Sequence, residues 1–302
     1  MLLKILFSRD FKTKKMKKFT LLIIIIFNSC LVFSQNFSKD WLNCIIHIEK
    51  EENGNLVSHG TGFSLYNYDN PKNDYVVTCA HVLKNRFIYF RLPATDSAIA
   101  ILSRNKIDVI NHNNRVWFFD GYSFRTKIEL IKDVTFIVND SLDIGIIKNI
   151  TDEPVIIKGK DTIKLTKYTT IAKSRINKKN EVELGTNVYF LGFPFSIGSN
   201  EGYYGSGMYS DKRVNPLLRA GIIAWKGDES NEFLVDGLSY GGNSGSPIFT
   251  QSDFMSPRGP ALIGMVLGHL GLTNKESLES NYGLARCIWI DDIIKLTSKF
   301  TK

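Results

Sequence analysis

The chain has 302 residues, of which 43% are hydrophobic and 23% charged, a composition typical of a globular protein with a substantial core. It excludes wholesale disorder, a collagen-like repeat and a polytopic membrane protein, and four cysteines are too few for a disulfide-stapled scaffold. The net charge is +8, but residues 1–34 hold seven basic residues against Asp10 alone. The rest is nearly neutral, so we expect no nucleic-acid partner.

The N-terminal residues have the pattern of a secretory signal. Lys17–Lys18 is followed by the apolar run Phe19–Phe27, a short cationic stretch before an apolar one. A membrane span needs about 20 apolar residues, and Asn28 ends this run too early. We expect residues 1–34 to be upstream residues and a signal peptide, cleaved before Gln35. The mature chain would be exported, periplasmic or secreted, with no stable membrane span.

A lipoprotein anchored at Cys30 is the weaker alternative, because Phe27–Cys30 is a poor lipobox. Cleavage before residue 35 would leave Cys44, Cys79 and Cys287. Because three is an odd number, at most one disulfide could form among them.

Short runs of β-branched and aromatic residues, bounded by turn residues, follow from about residue 40 to residue 290, a pattern typical of strands. The predicted strands are Cys44–Ile48, Gly62–Tyr66, Tyr75–Thr78, Phe87–Phe90, Val188–Leu191 and Ala261–Val266. Long helical periodicity occurs only in Asp291–Phe300, where acids come first and a lysine late, as the helix dipole prefers. The pattern predicts an all-β protein with a C-terminal helix. The polar stretch Lys173–Glu183 is predicted to be an exposed hairpin or an interdomain connection.

The strongest local signal is Gly241–Pro247, which surrounds Ser244 with glycines and precedes the apolar pair Ile248–Phe249. Glycines allow backbone angles that direct successive N–H groups into one small space. A serine nucleophile needs such a space, because its oxyanion must meet donors that are fixed in advance. Alone, the segment is equally compatible with an ordinary glycine-rich turn.

Two further segments occur in the order that serine catalysis requires. His81 follows the predicted strand Tyr75–Thr78, and Asp143 stands at the head of an apolar strand. Histidine, aspartate and serine is the chain order of the chymotrypsin-type triad, whereas α/β-hydrolases run serine, acid, histidine. The latter also require glycine where this chain has Ser246. The three segments together favour a triad of His81, Asp143 and Ser244.

These segments resemble the trypsin-like serine peptidases of the chymotrypsin fold, specifically the bacterial branch with the glutamyl endopeptidases and the high-temperature-requirement proteases. The matching pieces are Ile45–Glu49, Gly60–Phe63, Thr78–Val82, Leu142–Ile146, Leu191–Pro194, Gly242–Pro247 and Ile263–Val266. They run in the family's order from about residue 42 to residue 268. Asp143 is preferred over Asp133 and Asp140 because the alternating apolar strand follows it directly.

The resemblance implies an all-β fold of two packed six-stranded β-barrels with a C-terminal α-helix. The peptidase domain would be residues 35–302, with a first barrel at about 40–165, a second at about 184–290 and the helix at about 291–300. The active site would lie in the cleft between the barrels. The residues after the serine suffice for the last strands and the helix but not for a PDZ domain, so we expect none.

The resemblance also implies the mechanism of a serine endopeptidase acting on a protein or peptide. Ser244 would attack the carbonyl, His81 would transfer the proton, Asp143 would orient the imidazole, and the N–H groups of Gly242 and Ser244 would bind the oxyanion. No cofactor or metal is expected, since no second ligand cluster accompanies Cys79 and His81 in the sequence. Two alternatives stay open: a non-catalytic protein of this fold that binds a peptide or partner, and an esterase.

Departures from the family affect specificity. The position before the serine is Asn243, not the Asp that pairs with a new N-terminus in digestive members, so we expect no such zymogen cleavage. Leu238 replaces the acid of trypsin-like specificity, and Val266 replaces the histidine of the glutamyl endopeptidases. The candidate pocket residues are Leu238, Val266, Gly268 and His269, and an apolar or small side chain is the default expected preference.

Overall fold

The computed structural model describes residues 39–66, 74–112, 115–148, 154–158, 161–194, 215–251, 259–273 and 279–299. All of them except Gly259 belong to one compact unit. The predicted signal peptide lies outside these residues. Among the helices of the described segments, none is long and apolar enough to cross a membrane.

The described residues form seventeen strands and three α-helices. The strands are β1 (Ile45–Glu52), β2 (Asn55–Leu65), β3 (Tyr75–Cys79), β4 (Phe87–Pro93), β5 (Val109–His112), β6 (Arg115–Phe119), β7 (Ser123–Glu129), β8 (Phe136–Asn139), β9 (Ile144–Lys148), β10 (Val155–Lys158), β11 (Asp161–Lys164), β12 (Asn187–Gly192), β13 (Leu217–Lys226), β14 (Glu232–Asp236), β15 (Pro247–Thr250), β16 (Leu262–Thr273) and β17 (Glu279–Trp289). The helices are α1 (Lys39–Asn43), α2 (Asp96–Asn105) and α3 (Ile290–Thr297), with 3₁₀ turns at Ala80–Leu83, Lys173–Arg175 and Lys179–Glu181.

The predicted strands and the C-terminal helix are present in the structure. The six predicted runs coincide with β1, β2, β3, β4, β12 and β16, and α3 lies within one residue of the predicted start. The segment Lys173–Glu183 contains two 3₁₀ turns and no hairpin, and it connects β11 to β12. The all-β prediction with a terminal helix is therefore confirmed.

The first half of the unit is larger than expected. Hydrogen bonds join nine strands in the order β5-β6-β7-β4-β1-β2-β3-β9-β8, where six were expected. Part of the excess is the β5–β6 hairpin, which extends one edge of the sheet beyond β7. Trp117 on β6 is fully buried, so the hairpin adds to the core.

Helix α2 was not predicted. Its first turn is capped by Thr95, whose Oγ1 accepts a hydrogen bond of 3.1 Å from the Ala98 N–H. Only Ala98 and Leu102 are buried in its ten residues. Two buried residues four positions apart give too weak a periodicity to predict a helix. Thr95-Asp96 is a helix N-terminal signal that could have been used.

The second half is a closed barrel of six strands, β12-β13-β14-β17-β16-β15, as expected. Antiparallel pairing of β12 with β15, in which Val188 faces Thr250, closes the ring. The core is apolar and includes Phe233 stacked on Trp289, with ring centroids 4.0 Å apart. The β10–β11 hairpin separates the two halves along the chain.

Strand pairing brings the predicted site segments to strand ends. β3 pairs with β9 so that Cys79 lies opposite Ile144, which places the residues that follow β3 beside the residue that precedes β9. These are His81, in a 3₁₀ turn, and Asp143. Ser244 precedes β15, and β15 pairs with β16.

Candidate active site

His81 and Asp143 form a doubly hydrogen-bonded pair. The His81 ring Nδ1 lies 2.7 Å from Asp143 Oδ2, and the backbone N–H of His81 donates to Oδ1 over 3.0 Å. The Asp143 carbonyl also accepts the Ala80 N–H over 3.1 Å. In the neutral imidazole whose Nδ1–H donates to the carboxylate, Nε2 carries the lone pair that can accept a proton.

The environment keeps Asp143 ionised. Partial burial raises the pKa of its carboxyl, but hydrogen bonds from the ring and backbone of His81, together with the charges of His81 and Arg286, bring the net pKa below its ordinary value. Asp143 has φ of +52°, a left-handed conformation that aspartate tolerates better than most residues. The strained residue is the one that turns its carboxylate toward the histidine.

The serine loop depends on two glycines with positive φ. Gly242 has φ of +92°, and a Cβ there would lie 2.2 Å from the Phe193 carbonyl oxygen. Gly245 has φ of +90°, and its Cβ would lie 1.8 Å from the Thr61 carbonyl oxygen. Both distances are far inside van der Waals contact, so no side chain fits at either position.

In the serine loop, Gly241–Pro247, three N–H groups have no acceptor among the described residues, those of Gly241, Gly242 and Ser244. The Asn243 N–H donates to the Tyr240 carbonyl over 3.0 Å, and the Gly245 N–H donates to the Val266 carbonyl over 2.8 Å. Within the described segments, the N–H groups of Gly242 and Ser244, which alternate with these, donate to no acceptor. An oxyanion hole needs two such free, closely spaced donors.

The serine hydroxyl is hydrogen-bonded to a backbone carbonyl in this structure. Ser244 is half-buried, and its Oγ donates to the Leu267 carbonyl over 3.2 Å. Among the described residues, no hydrogen bond joins Ser244 to His81. Catalytic hydrogen bonds are often poorly aligned without substrate, so this geometry is compatible with a triad that closes on binding.

Cys79 lies beneath the site. Its thiol is fully buried and donates to the Val266 carbonyl over 3.3 Å. Burial and the charge of Asp143 raise its pKa well above the ordinary value, so the thiol stays protonated. Cys44, Cys79 and Cys287 are all buried thiols, and no disulfide joins them.

Cys79, His81 and Asp143 also form the group of described residues that could hold a metal ion, with ligand atoms within 4.8 Å of one another. A metal bound there would replace the His81–Asp143 hydrogen bond, which the serine chemistry requires.

Comparison with known families identifies the family of the chain. The family model of the trypsin-like peptidase domain matches residues 60–254, more than half of the chain. The chain belongs to the trypsin-like peptidase family. The match includes the segments of His81, Asp143 and Ser244, and it supports a peptidase with the two-part β fold described above.

Two individual proteins are also similar. The chain matches the structure of the HtrA-type protease AlgW with decapeptide at a TM-score of 0.46 and 12% identity, over 87% of this chain and 66% of that one. A DNA polymerase of Fowlpox virus (strain NVSL) is 33% identical over an alignment of 156 residues that covers 48% of this chain and 15% of the polymerase. The chain thus spans under two thirds of both proteins, and so small a part of the polymerase carries none of its activity over.

The predicted pocket residues differ in exposure. Leu238 is 50% exposed, and its carbonyl accepts a hydrogen bond from Arg219. Gly268 and His269 are partly exposed on β16, and a Cβ at Gly268 would meet no atom within 4 Å. Val266 is fully buried in the core of the second barrel, so its backbone carbonyl is the part that contacts the site.

Asn243 is 1% exposed, and among the described residues neither atom of its side-chain amide has a hydrogen-bond partner. Gly192 packs against this side chain: a Cβ there would lie 2.8 Å from Asn243 Oδ1. A neutral amide in this enclosed position forms no ion pair with a new N-terminus.

The sequence reasoning assigned no role to Thr61 or Leu267. Thr61 is fully buried and donates hydrogen bonds to the Gly242 and Ser244 carbonyls, and Leu267 supplies the carbonyl that holds the Ser244 hydroxyl. Thr61 lies between two glycines in a segment that matches the family, which is the signal that could have identified it. Leu267 contributes only a backbone carbonyl, for which the sequence carries no signal.

Proposed function

We propose that this protein is an exported serine endopeptidase that uses His81, Asp143 and Ser244. The observation that carries the proposal is the 2.7 Å contact between His81 Nδ1 and Asp143 Oδ2, which leaves Nε2 as the base. The N–H groups of Gly242 and Ser244, which have no acceptor among the described residues, support it. Membership of the trypsin-like peptidase family makes a peptide bond the expected target.

In the proposed mechanism, substrate binding turns the Ser244 hydroxyl from the Leu267 carbonyl toward His81 Nε2. His81 takes the proton as Oγ attacks the substrate carbonyl carbon, and the ionised Asp143 stabilises the resulting imidazolium. The N–H groups of Gly242 and Ser244 bind the negative oxygen. His81 then gives its proton to the leaving amine, and water releases the acyl group from Ser244 by the same steps.

Labelling with a fluorophosphonate probe tests the nucleophile. We expect the purified full chain to become labelled, and Ser244→Ala and His81→Ala to lose labelling. Ser141→Ala, at an exposed serine of the turn before β9, should label like the native chain. A peptide library would then define the residue before the cleaved bond, and ester substrates run beside it would separate an esterase from a peptidase.

A folded chain that reacts with no probe would overturn the proposal. The contact between Ser244 and the Leu267 carbonyl would then be the permanent state of the serine. In that case a non-catalytic protein that binds a peptide or partner would become the better interpretation.

Export is the second part of the proposal, and it depends on Lys17–Lys18 and the apolar run Phe19–Phe27. We expect the intact mass of the mature protein to correspond to a chain that begins at Gln35. Ile24→Lys should block this processing, since a charge in the apolar run opposes insertion. A lipid-modified mass beginning at Cys30 would favour the lipoprotein, and a mature chain beginning at Met16 would contradict export.

A further inference from the structure

We propose that Thr61 is a positioning residue for the oxyanion hole. It holds the backbone carbonyl groups of Gly242 and Ser244, the two residues whose N–H groups would bind the oxyanion. This inference rests on the proposed function. Thr61 lies on β2 in the first half of the unit and is fully buried. It acts through Gly242 and Ser244, which belong to the second half.

The side chain of Thr61 holds the first carbonyl. Its Oγ1 donates to the Gly242 carbonyl over 2.7 Å and accepts the Phe193 N–H over 3.1 Å. A hydroxyl has one proton, so accepting from Phe193 leaves that proton committed to Gly242. The hydrogen-bonding direction is therefore fixed, and the Gly242 carbonyl is held at a defined place.

The backbone of Thr61 holds the second carbonyl. Its N–H donates to the Ser244 carbonyl over 2.9 Å. The carbonyl between these two, that of Asn243, accepts the Ser246 N–H over 2.8 Å. All three consecutive carbonyls are thus engaged, and rotation of any of these peptide groups would break a buried hydrogen bond.

The same contacts decide which N–H groups stay free. The peptide group between Gly242 and Asn243 is held at its carbonyl by Thr61 and at its N–H by Tyr240. The next held peptide group, between Ser244 and Gly245, is fixed by the Thr61 N–H and the Val266 carbonyl. The peptide group that carries the Ser244 N–H lies between these two held groups, and the Gly242 N–H directly precedes the first of them, so the contacts of Thr61 limit the directions in which both donors can point.

We call the hydrogen bonds from Thr61 to the Gly242 and Ser244 carbonyls the clamp. Close packing makes the clamp rigid. The Thr61 carbonyl accepts the Thr78 hydroxyl over 2.7 Å and approaches Gly245 so closely that no Cβ could fit there. Thr78 is also fully buried, on β3, two residues before the turn that carries His81. The clamp therefore joins the serine loop to the strand that leads to the histidine.

Two substitutions at one position test the proposal. Thr61→Val keeps the shape and loses the hydroxyl, whereas Thr61→Ser keeps the hydroxyl. The concentration dependence of fluorophosphonate labelling gives a maximal rate and a half-saturating concentration for the full chain. Because loss of one oxyanion donor costs about 10²–10³ in rate, we expect misaligned donors in Thr61→Val to lower the maximal rate about 10- to 100-fold. The half-saturating concentration should change little, and Thr61→Ser should stay close to the native rate.

A purely structural role would give a different result. Thr61→Val and Thr61→Ser would then both lower the melting temperature and the labelled fraction, with a native rate in the fraction that labels, and this outcome would overturn the proposal. If Thr61→Val does not fold, Thr78→Val removes only the donor to the Thr61 carbonyl. It should slow labelling by a smaller factor at an unchanged half-saturating concentration, and native labelling would count against the clamp.

Hydrogen exchange separates this inference from the proposed function. In Thr61→Val, the amides of Asn243, Gly245 and Ser246 should exchange faster than in the native chain and in Thr61→Ser. This readout needs no reactive serine, so it decides the clamp even if the native chain is never labelled. Equal exchange in all three proteins would overturn the clamp, whereas a native chain without labelling would overturn only the proposed function.

Discussion

The two parts of the candidate site are held by different means. The His81–Asp143 pair is held by side-chain hydrogen bonds, and 38% and 23% of these side chains remain exposed. The serine loop is held by its backbone, through glycines with positive φ and carbonyls bonded to buried Thr61. The first arrangement depends on which chemical groups are present, and the second depends on how closely two chain segments can approach. Substitutions should therefore affect the two parts differently.

The largest expected effect is on the histidine side. Asp143→Asn keeps the shape, but its amide would favour the wrong histidine tautomer, and the rate should fall by about 10⁴-fold. The melting temperature should change little, because the side chains of His81 and Asp143 are partly exposed. Labelling kinetics and thermal unfolding of the same samples check this. Asp140→Asn, at an exposed turn residue, is the matched control, and an equal loss there would contradict the assignment of Asp143.

Substitutions in the serine loop should mainly lower the stability of the protein. Gly245→Ala would place a Cβ inside the Thr61 carbonyl, in addition to the cost of a positive φ. Overpacking and left-handed strain together predict a loss of about 3 kcal/mol or more in the free energy of unfolding. Denaturant unfolding measures it.

Gly185→Ala is the control for this change. Gly185 also has a positive φ, of +81°, but no atom lies within 4 Å of its Cβ position. Only the strain remains, so the expected loss is about 1–2 kcal/mol. Equal losses at the two glycines would show that close approach to Thr61 adds nothing.

The smallest expected effect is a pH dependence at His59, beside the histidine part of the site. Burial, reinforced by Lys50 and His81, lowers the pKa of His59 to about 4. Between pH 6.5 and about 4, the unfolded chain binds a proton at His59 that the folded chain does not. Stability should therefore fall as the pH falls through this window and stop changing on this account below about 4.

Unfolding measured across this window checks the prediction. His59→Gln should flatten the pH dependence, and Lys50→Gln should reduce it partly, since one repelling charge is removed. A native slope in His59→Gln would assign the pH dependence to other groups.

Many of the strands and the C-terminal helix could be predicted because the local sequence indicates them. Runs such as Tyr75–Thr78 and Val188–Leu191 are β-branched or aromatic, and α3 has helical spacing with acids at its start. The nine-stranded sheet and helix α2 could not be predicted in the same way. The number of strands in the sheet depends on which strand edges pair, as β6 does with β7. Helix α2 buries only two residues, so its sequence shows little helical periodicity.

The sequence by itself determined which chemical groups the candidate site offers, because residue identity and chain order can be read without any contact: His81, Asp143 and Ser244 occur in the family's order. Only the tertiary structure decided how these groups are held. Thr61 lies far from Gly242 in the chain, and its 2.7 Å hydrogen bond exists because β2 packs against the serine loop. The resting direction of the Ser244 hydroxyl is likewise set by a carbonyl on β16. Backbone groups are chemically the same at every residue, so their roles follow from packing alone.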